Sequence, residues 1–281
     1  MRGVPSDKFV ASMDLVQRCS SRTKLQGVTR LMACHRLRLD VEPLVPQPTS
    51  ARTFSESRRI RLSEMDAEGR LRLDSIARYL QDVAVDDVDE TGWGAPEHLW
   101  VLRSIRIEVL ASSVDDREVE LTTWCSGSAT VAAGRRMSLV GDRGGRVELD
   151  SVWIHLGPDA RPARIEGFGV YAESAADRAI STRLELPAPP SDARRRPWET
   201  RASDIDLFGH VNNAVYWQGV EGRLRDRGID PRAPLVARLD YRHAVDLGEV
   251  VELAEFSEGG GYGVAFVSGD VLKAVALVQR T

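Results

Sequence analysis

Apolar and polar positions fall into a regular order from about Arg58 onward. Arg59 to Arg61 lead a short predicted strand carrying Ile60 and Leu62, and a polar loop from Ser63 to Leu71 follows. Ile76, Ala77, Leu80, Val83, Ala84 and Val88 then recur at helical spacing, with Asp74 as the candidate cap and Gly92 and Gly94 as the stop. Strand-like runs come next over residues 99–109, 118–125, 135–141 and 146–156, and Asp142-Arg143-Gly144-Gly145 between the last two reads as a hairpin turn. Residues 157–197 break that rhythm. Their prolines and Arg194-Arg195-Arg196-Pro197 read as a connector, with a short helix around Glu173 to Ala179.

After the connector the pattern returns. Sliding the chain by 140 positions lays Ser63, Asp66, Gly69 and Leu71 over Ser203, Asp206, Gly209 and Val211. A period this long exceeds any solenoid repeat and indicates a duplicated unit of loop, helix and antiparallel strands. One amphipathic helix wrapped by a curved antiparallel sheet buries both partners, so each copy is expected to be of that kind. In the second copy the loop is densely polar. Asp204, Asp206, His210, Asn212 and Asn213 fall within ten residues and run straight into the apolar positions Val215, Tyr216, Val220 and Leu224. That is a loop entering a helix, with Asn212 or Asn213 as the natural N-cap, and its unpaired amides suit an oxyanion.

Composition narrows the function classes. The 281-residue chain is 42% hydrophobic and 28% charged, ordinary for a globular protein, and no run approaches the length of a membrane span. Its net charge of −4 gives no reason to expect nucleic acid. Cys19, Cys34 and Cys125 are isolated, which points away from disulfides and zinc and toward a reducing, cytoplasmic setting. Neither metal-ligand spacing nor a glycine-rich phosphate loop is present, so no cofactor is expected. The first 51 residues carry eight basic against four acidic side chains, leaving −8 for the remainder. Residues 1–52 therefore read as a poorly ordered extension, a transit peptide or an over-called start.

Thioester hydrolysis needs a base or nucleophile and donors for the oxyanion. Asp206 fits the first role, His210 can assist because an imidazole titrates near neutrality, and the amides around Asn212 to Ala214 fit the last. The run Asp204-x-Asp206-x-x-Gly209-His210-Val211-Asn212-Asn213-Ala214-x-Tyr216 resembles the signature of acyl-acyl-carrier-protein thioesterases, as do Leu99 to Ile107 and Trp124-Cys125-Ser126-Gly127 in the first copy. The resemblance runs from about Arg58 to the C-terminus. It implies an α+β chain of two tandem hotdog domains, at 53–166 and 199–281 with a linker at 167–198.

It also implies hydrolysis of fatty acyl-carrier-protein, or acyl-CoA, to free fatty acid. Asp206, His210, Asn212 and Asn213 are the expected catalytic positions. Trp93, Trp100, Arg103 and Tyr216 are expected to bind substrate, with Ile105 and Ile107 as further candidates for an acyl tunnel. The partner implied is the acyl carrier protein with its acyl-phosphopantetheine arm, received by Arg58-Arg59, Arg135-Arg136 or Arg194-Arg195-Arg196; a homodimer is a further option. Three positions depart from the plant pattern. Phe208 stands where an Asn is expected, and Ala244 and Val245, after Asp240-Tyr241-Arg242-His243, where a Glu followed by Cys is expected. Two other readings follow from those departures and from the fold: an acyl-thioester-binding or regulatory protein with weakened catalysis, and a hydratase/dehydratase. The first copy has Arg70, Arg72 and Leu73 in place of His210, Asn212 and Asn213, so it is not expected to be a second active site.

Overall fold

The computed structural model describes residues 39, 43–93, 99–175 and 178–281. Most of the extension expected at 1–52 lies outside these residues, as do Cys19, Cys34 and Gly94. Its last part is tied to the body. Arg136 Nε donates to Val45 O at 3.1 Å, and Arg52 Nε donates to Asp87 Oδ1 at 2.9 Å.

The first copy comprises β1 (Phe54–Arg59), α1 (Leu73–Thr91), β2 (Leu99–Ala111), β3 (Glu118–Ser128), β4 (Ala132–Gly141) and β5 (Arg146–Leu156). The second comprises β6 (Arg194–Trp198), α2 (Val215–Asp226), β7 (Leu235–Tyr241), β8 (Val251–Glu258), β9 (Gly261–Ser268) and β10 (Val271–Arg280). Among the described residues the ten strands form a single sheet in the order β1-β3-β4-β5-β2-β7-β10-β9-β8-β6, antiparallel throughout. With few helices, this is an α+β architecture. The halves are joined by backbone pairing of β2 with β7, from Ser104 against Asp240 to Val109 against Leu235.

Both helices lie on the same core. Leu73, Ile76, Ala77, Leu80 and Val83 of α1 are buried together with Val215, Tyr216, Trp217, Val220 and Leu224 of α2 in one continuous cluster. Each fully buried Leu, Ile or Val there contributes about 1.5–3 kcal/mol. No helix among the described residues is long and apolar enough to cross a membrane.

The structure corrects several local expectations. The first strand ends at Arg59, where the sequence pattern begins one. Its residues are half-buried and exposed in turn, and after Phe54 all are polar. Asp74 is not the cap of α1, which begins at Leu73. Its buried carboxylate instead accepts from Arg72 Nε at 2.8 Å, Arg78 Nη1 at 2.9 Å and Gln218 Nε2 at 2.8 Å. Burial alone would raise its pKa; those partners outweigh it and hold it low. The arginine-rich end of the expected connector is strand β6, paired with β8. Ile105 and Ile107 are core residues of β2 rather than tunnel walls.

Candidate active site

The two polar loops have the same backbone. In the first, Asp66 N donates to Arg70 O at 2.8 Å and Gly69 N to Asp66 O at 3.1 Å; in the second, Asp206 N donates to His210 O and Gly209 N to Asp206 O at the same distances. The bridges Met65 with Leu71 and Ile205 with Val211 repeat at the same spacing. Gly69 and Gly209 take φ of 76° and 83°, the left-handed turn that a residue without Cβ adopts at little cost. The two loops thus differ in their side chains, not in their path.

In the second loop the side chains face a cleft of about 550 Å³ formed with α1, β2, β4 and the segment after β7. Asp206, His210, Asn212, Asn213 and Tyr216 line it, and so do Trp93 and Trp100. The Asp206 carboxylate accepts from Phe208 N at 2.9 Å. Burial pushes its pKa above the ordinary aspartate value, against the pull of the Phe208 and His210 amides and the His210 ring. A carboxyl group so placed is a better base once ionised than a fully hydrated one. His210 is buried, and its Nε2 lies 3.5 Å from Asp246 Oδ1.

Neither asparagine stands at the N-cap position of α2, which is Ala214, but Asn212 makes a cap-type bond just ahead of it. Helix α2 starts at Val215, after Ala214. Asn212 Oδ1 accepts from Ala214 N at 2.9 Å, while Asn212 Nδ2 donates to Gln81 Oε1 of α1 at 3.2 Å. Asn212 therefore anchors the loop to the other half of the chain. Most of the helix-start amides are already spent: Asn212 N donates to Asp204 O, Ala214 N to Asn212 Oδ1 and Val215 N to Asn212 O. Among the described residues the Asn213 N–H is the one of this group with no acceptor in the chain, and Asn213 lines the cleft.

From Gln81 the cleft follows α1 past Ala84, Val85 and Val88 to Trp93. At that end Trp93 stacks edge-on against Phe168 and Tyr171 and lies 6.1 Å from Trp100, centroid to centroid. Arg135 also reaches the wall, but its Nη1 is bound to Asp87 Oδ2 at 2.7 Å, which Tyr171 shares at 3.0 Å. Cys125, the described cysteine, lines the cleft too; burial pushes its thiol up, which disfavours the nucleophilic thiolate. An apolar arm with one acidic, hydrogen-bonding end suits a long aliphatic chain attached to a polar reacting group.

Arg103 is the one expected substrate-binding residue that does not face this cleft. It is buried between the halves, donating to Tyr241 O at 3.1 Å. Burial brings its pKa down to about 10. Arg135 and Arg136 are likewise engaged internally, Arg136 with Glu148 at 2.9 Å, and are unsuited to receiving a partner. Phe208 packs against Ala132, Ile154 and Leu156 of the first half, a hydrophobic anchor where a polar helper was expected. His243 and Ala244 line the cleft, and Ala244 offers no polar group there.

Two contributors escaped sequence reasoning, Gln81 and Asp246. The 140-residue offset places Gln81 under Glu221, so the repeat held a signal for the first; nothing in the pattern marked the second. Around the first loop a wider cleft of about 680 Å³ is lined by Asp66, Arg70, Arg72, Gln218 and Glu221. Arg70 there bridges Asp66, at 3.0 Å, to Glu221 of α2. A buried guanidinium tied to two carboxylates leaves this loop no unpaired carboxylate of the kind Asp206 offers in the second.

Two domain models of one family match the chain: the acyl-ACP thioesterase N-terminal domain over residues 51–166 and the C-terminal domain over 188–270. The second match begins ahead of β6, within the stretch expected to be linker. An uncharacterized protein of Mycobacterium tuberculosis is 28% identical over 240 residues, covering 84% of this chain and 96% of that one. Oleoyl-acyl carrier protein thioesterase 2 of Arabidopsis thaliana is 24% identical over 235 residues, 73% of this chain and 63% of that one. In fold the chain is similar to the 12:0-ACP thioesterase from Umbellularia californica, with a TM-score of 0.68 at 17% identity over 82% of this chain and 97% of that one.

Proposed function

This chain belongs to the acyl-acyl-carrier-protein thioesterase family and is a thioester hydrolase; on that footing we propose that Asp206 is the base or nucleophile of the reaction. His210 assists proton transfer, and the Asn213 N–H is a donor to the oxyanion. Asn212 and Gln81 hold the loop in place. The halves act as two hotdog units, the first accommodating the acyl chain along α1 and the second supplying the chemistry. The observation that carries this reading is the meeting of a half-buried carboxyl, an imidazole and the Asn213 N–H at one end of a single aromatic-lined cleft.

In the reaction, the acyl chain lies against Ala84, Val85 and Val88 and brings its carbonyl carbon to Asp206. As base, Asp206 takes a proton from water, whose oxygen adds to the carbonyl; the C–S bond then breaks, and the thiolate of the carrier's phosphopantetheine leaves with a proton. As nucleophile, Asp206 adds to the carbonyl itself, the C–S bond breaks and the thiolate leaves and takes a proton, and water later cleaves the resulting anhydride to fatty acid and the Asp206 carboxylate. In both cases negative charge on the carbonyl oxygen is met by the Asn213 N–H. Acyl-CoA presents the same thioester and is a second substrate to be tested.

The test is turnover of acyl-carrier-protein and acyl-CoA substrates by the purified chain beside Asp206→Asn. The expected loss is ~10²–10⁴-fold in kcat for acyl-carrier-protein. Full activity in Asp206→Asn would remove Asp206 from the mechanism. Tight binding of acyl-carrier-protein without turnover would instead favour the regulatory reading, toward which Phe208 and Ala244 lean.

A further inference from the structure

The segment after β7 holds a carboxylate with no role in the reaction as described. Asp246 Oδ1 sits 3.5 Å from His210 Nε2, and the two residues are paired through their backbones as an antiparallel bridge. The imidazole side chain is 7% exposed and the carboxylate 51%, so it is the ring whose orientation and proton are set by its neighbour. Asp246 is itself held: its N–H donates to Glu249 Oε2 at 3.1 Å, Lys273 pairs with Glu249 at 2.6 Å, and Lys273 Nζ donates to Ala244 O at 2.9 Å. In the first copy the equivalent bridge joins Arg70 to Val114. At the bridge position that Asp246 fills in the second copy, the first copy has Val114, which carries no carboxylate.

We propose that Asp246 is a positioning residue for the hydrolysis, accepting from His210 Nε2–H; this rests on the reading of His210 as the assisting group. With Nε2 protonated toward Asp246, the nitrogen left as acceptor in the neutral ring is Nδ1. When the ring gains a proton, the contact tightens from 3.5 Å into a charge-assisted hydrogen bond, as catalytic contacts commonly do on going from the resting to the reacting state. Asp246 keeps its own charge throughout and receives no proton. Other ionisable groups near the ring or in the same cleft are Asp206 in the same loop, Tyr216 of α2, Tyr241 and His243 at the end of β7, Glu249 beyond it, Lys273 of β10, and, along the cleft, Asp82 and Asp89 of α1, Cys125, Arg135 and Tyr171.

The experiment compares the full chain with Asp246→Asn, Asp246→Glu and His210→Ala, reading kcat and KM for acyl-carrier-protein across pH and following the His210 ring by NMR titration. Asp246→Asn is expected to lower kcat ~10–100-fold with KM little changed, short of the ~10⁴-fold of a fully buried triad carboxylate because Asp246 is half-exposed. The midpoint of the His210 ring signals moves to lower pH, since a neighbouring negative charge favours the imidazolium and its removal does the reverse. Asp246→Glu recovers part of both. Unchanged kcat, or a fall in kcat with no movement of the ring titration, overturns the proposal. Full activity in His210→Ala would sink the role of His210 itself, an outcome distinguishable because the ring titration in Asp246→Asn is read independently of turnover.

Discussion

Replacing Val88 by Phe tests whether α1 measures the acyl chain. Gln81 contacts the second polar loop through Asn212, and Val88 lines the same cleft seven residues further along the helix. At 1.5 Å of rise per residue the two are about 10 Å apart along the axis. A phenyl ring at Val88 closes the arm at that distance, so the carbons of a longer chain lose their burial. Each methylene so exposed costs about 0.8 kcal/mol, close to four-fold in kcat/KM. The assay is kcat/KM for parent and variant over saturated acyl-carrier-proteins lengthened two carbons at a time. Short chains are expected to react alike in both, and beyond the block the variant falls by about fifteen-fold at each step. Overpacking of the neighbouring cluster by the ring costs about 1–3 kcal/mol of stability, but it acts equally at all chain lengths. A variant profile parallel to the parent's at every length refutes the path of the chain along α1.

Three other outcomes follow from the structure. Glu221→Gln leaves the buried Arg70 with Asp66 alone and is expected to cost about 3 kcal/mol in denaturant unfolding, with turnover below the transition unaffected; a loss under ~1 kcal/mol contradicts the burial of that pair. Asn212→Ala and Gln81→Ala should be coupled by about 1 kcal/mol in a double-mutant cycle on kcat/KM, and strict additivity would deny that the pair acts as a unit. The acid limb of kcat/KM should lie above the ordinary aspartate range, activity rising with pH as Asp206 ionises. The same raised value has the opposite sign for stability: the folded chain holds that proton more tightly than the unfolded one, so this contribution is present at low pH and lost as pH rises through the raised pKa. Asp206→Asn is therefore expected to melt no lower than the parent at neutral pH, and a lower melting temperature there would contradict the direction of the shift.

Much of the fold was legible because the duplication is written in short-range terms. The offset of 140 found in the sequence reappears as matching hydrogen bonds in the two loops. Strand β5 and the turn before it fall where alternation and Gly144-Gly145 put them. Strand β6 was hidden because Arg194-Arg195-Arg196-Pro197 lacks apolar alternation; as an edge strand it needs little, and an edge tolerates the missing donor of Pro197. Of the site, Asp206, His210, Asn212, Asn213, Trp93, Trp100 and Tyr216 were foreseen to gather, and they line one cleft. Gln81 and Asp246 reach the loop from 131 and 36 residues away, a distance no local pattern spans. Arg103 was expected to bind substrate and is instead a strut between the halves, since charge alone does not say whether a guanidinium meets solvent or carbonyl oxygens.

The Arg70–Glu221 pair bears on what joining two copies in one chain permits. In a dimer of identical subunits every substitution is made twice, so an ion pair that plugs one loop would plug the other and abolish both sites. A covalent tandem escapes that constraint. One loop was free to become a rivet while its twin stayed open, and the helix facing the open one could be shaped for a guest without copying that shape across the seam. Asymmetry of this kind is encodable only in a chain that holds both halves.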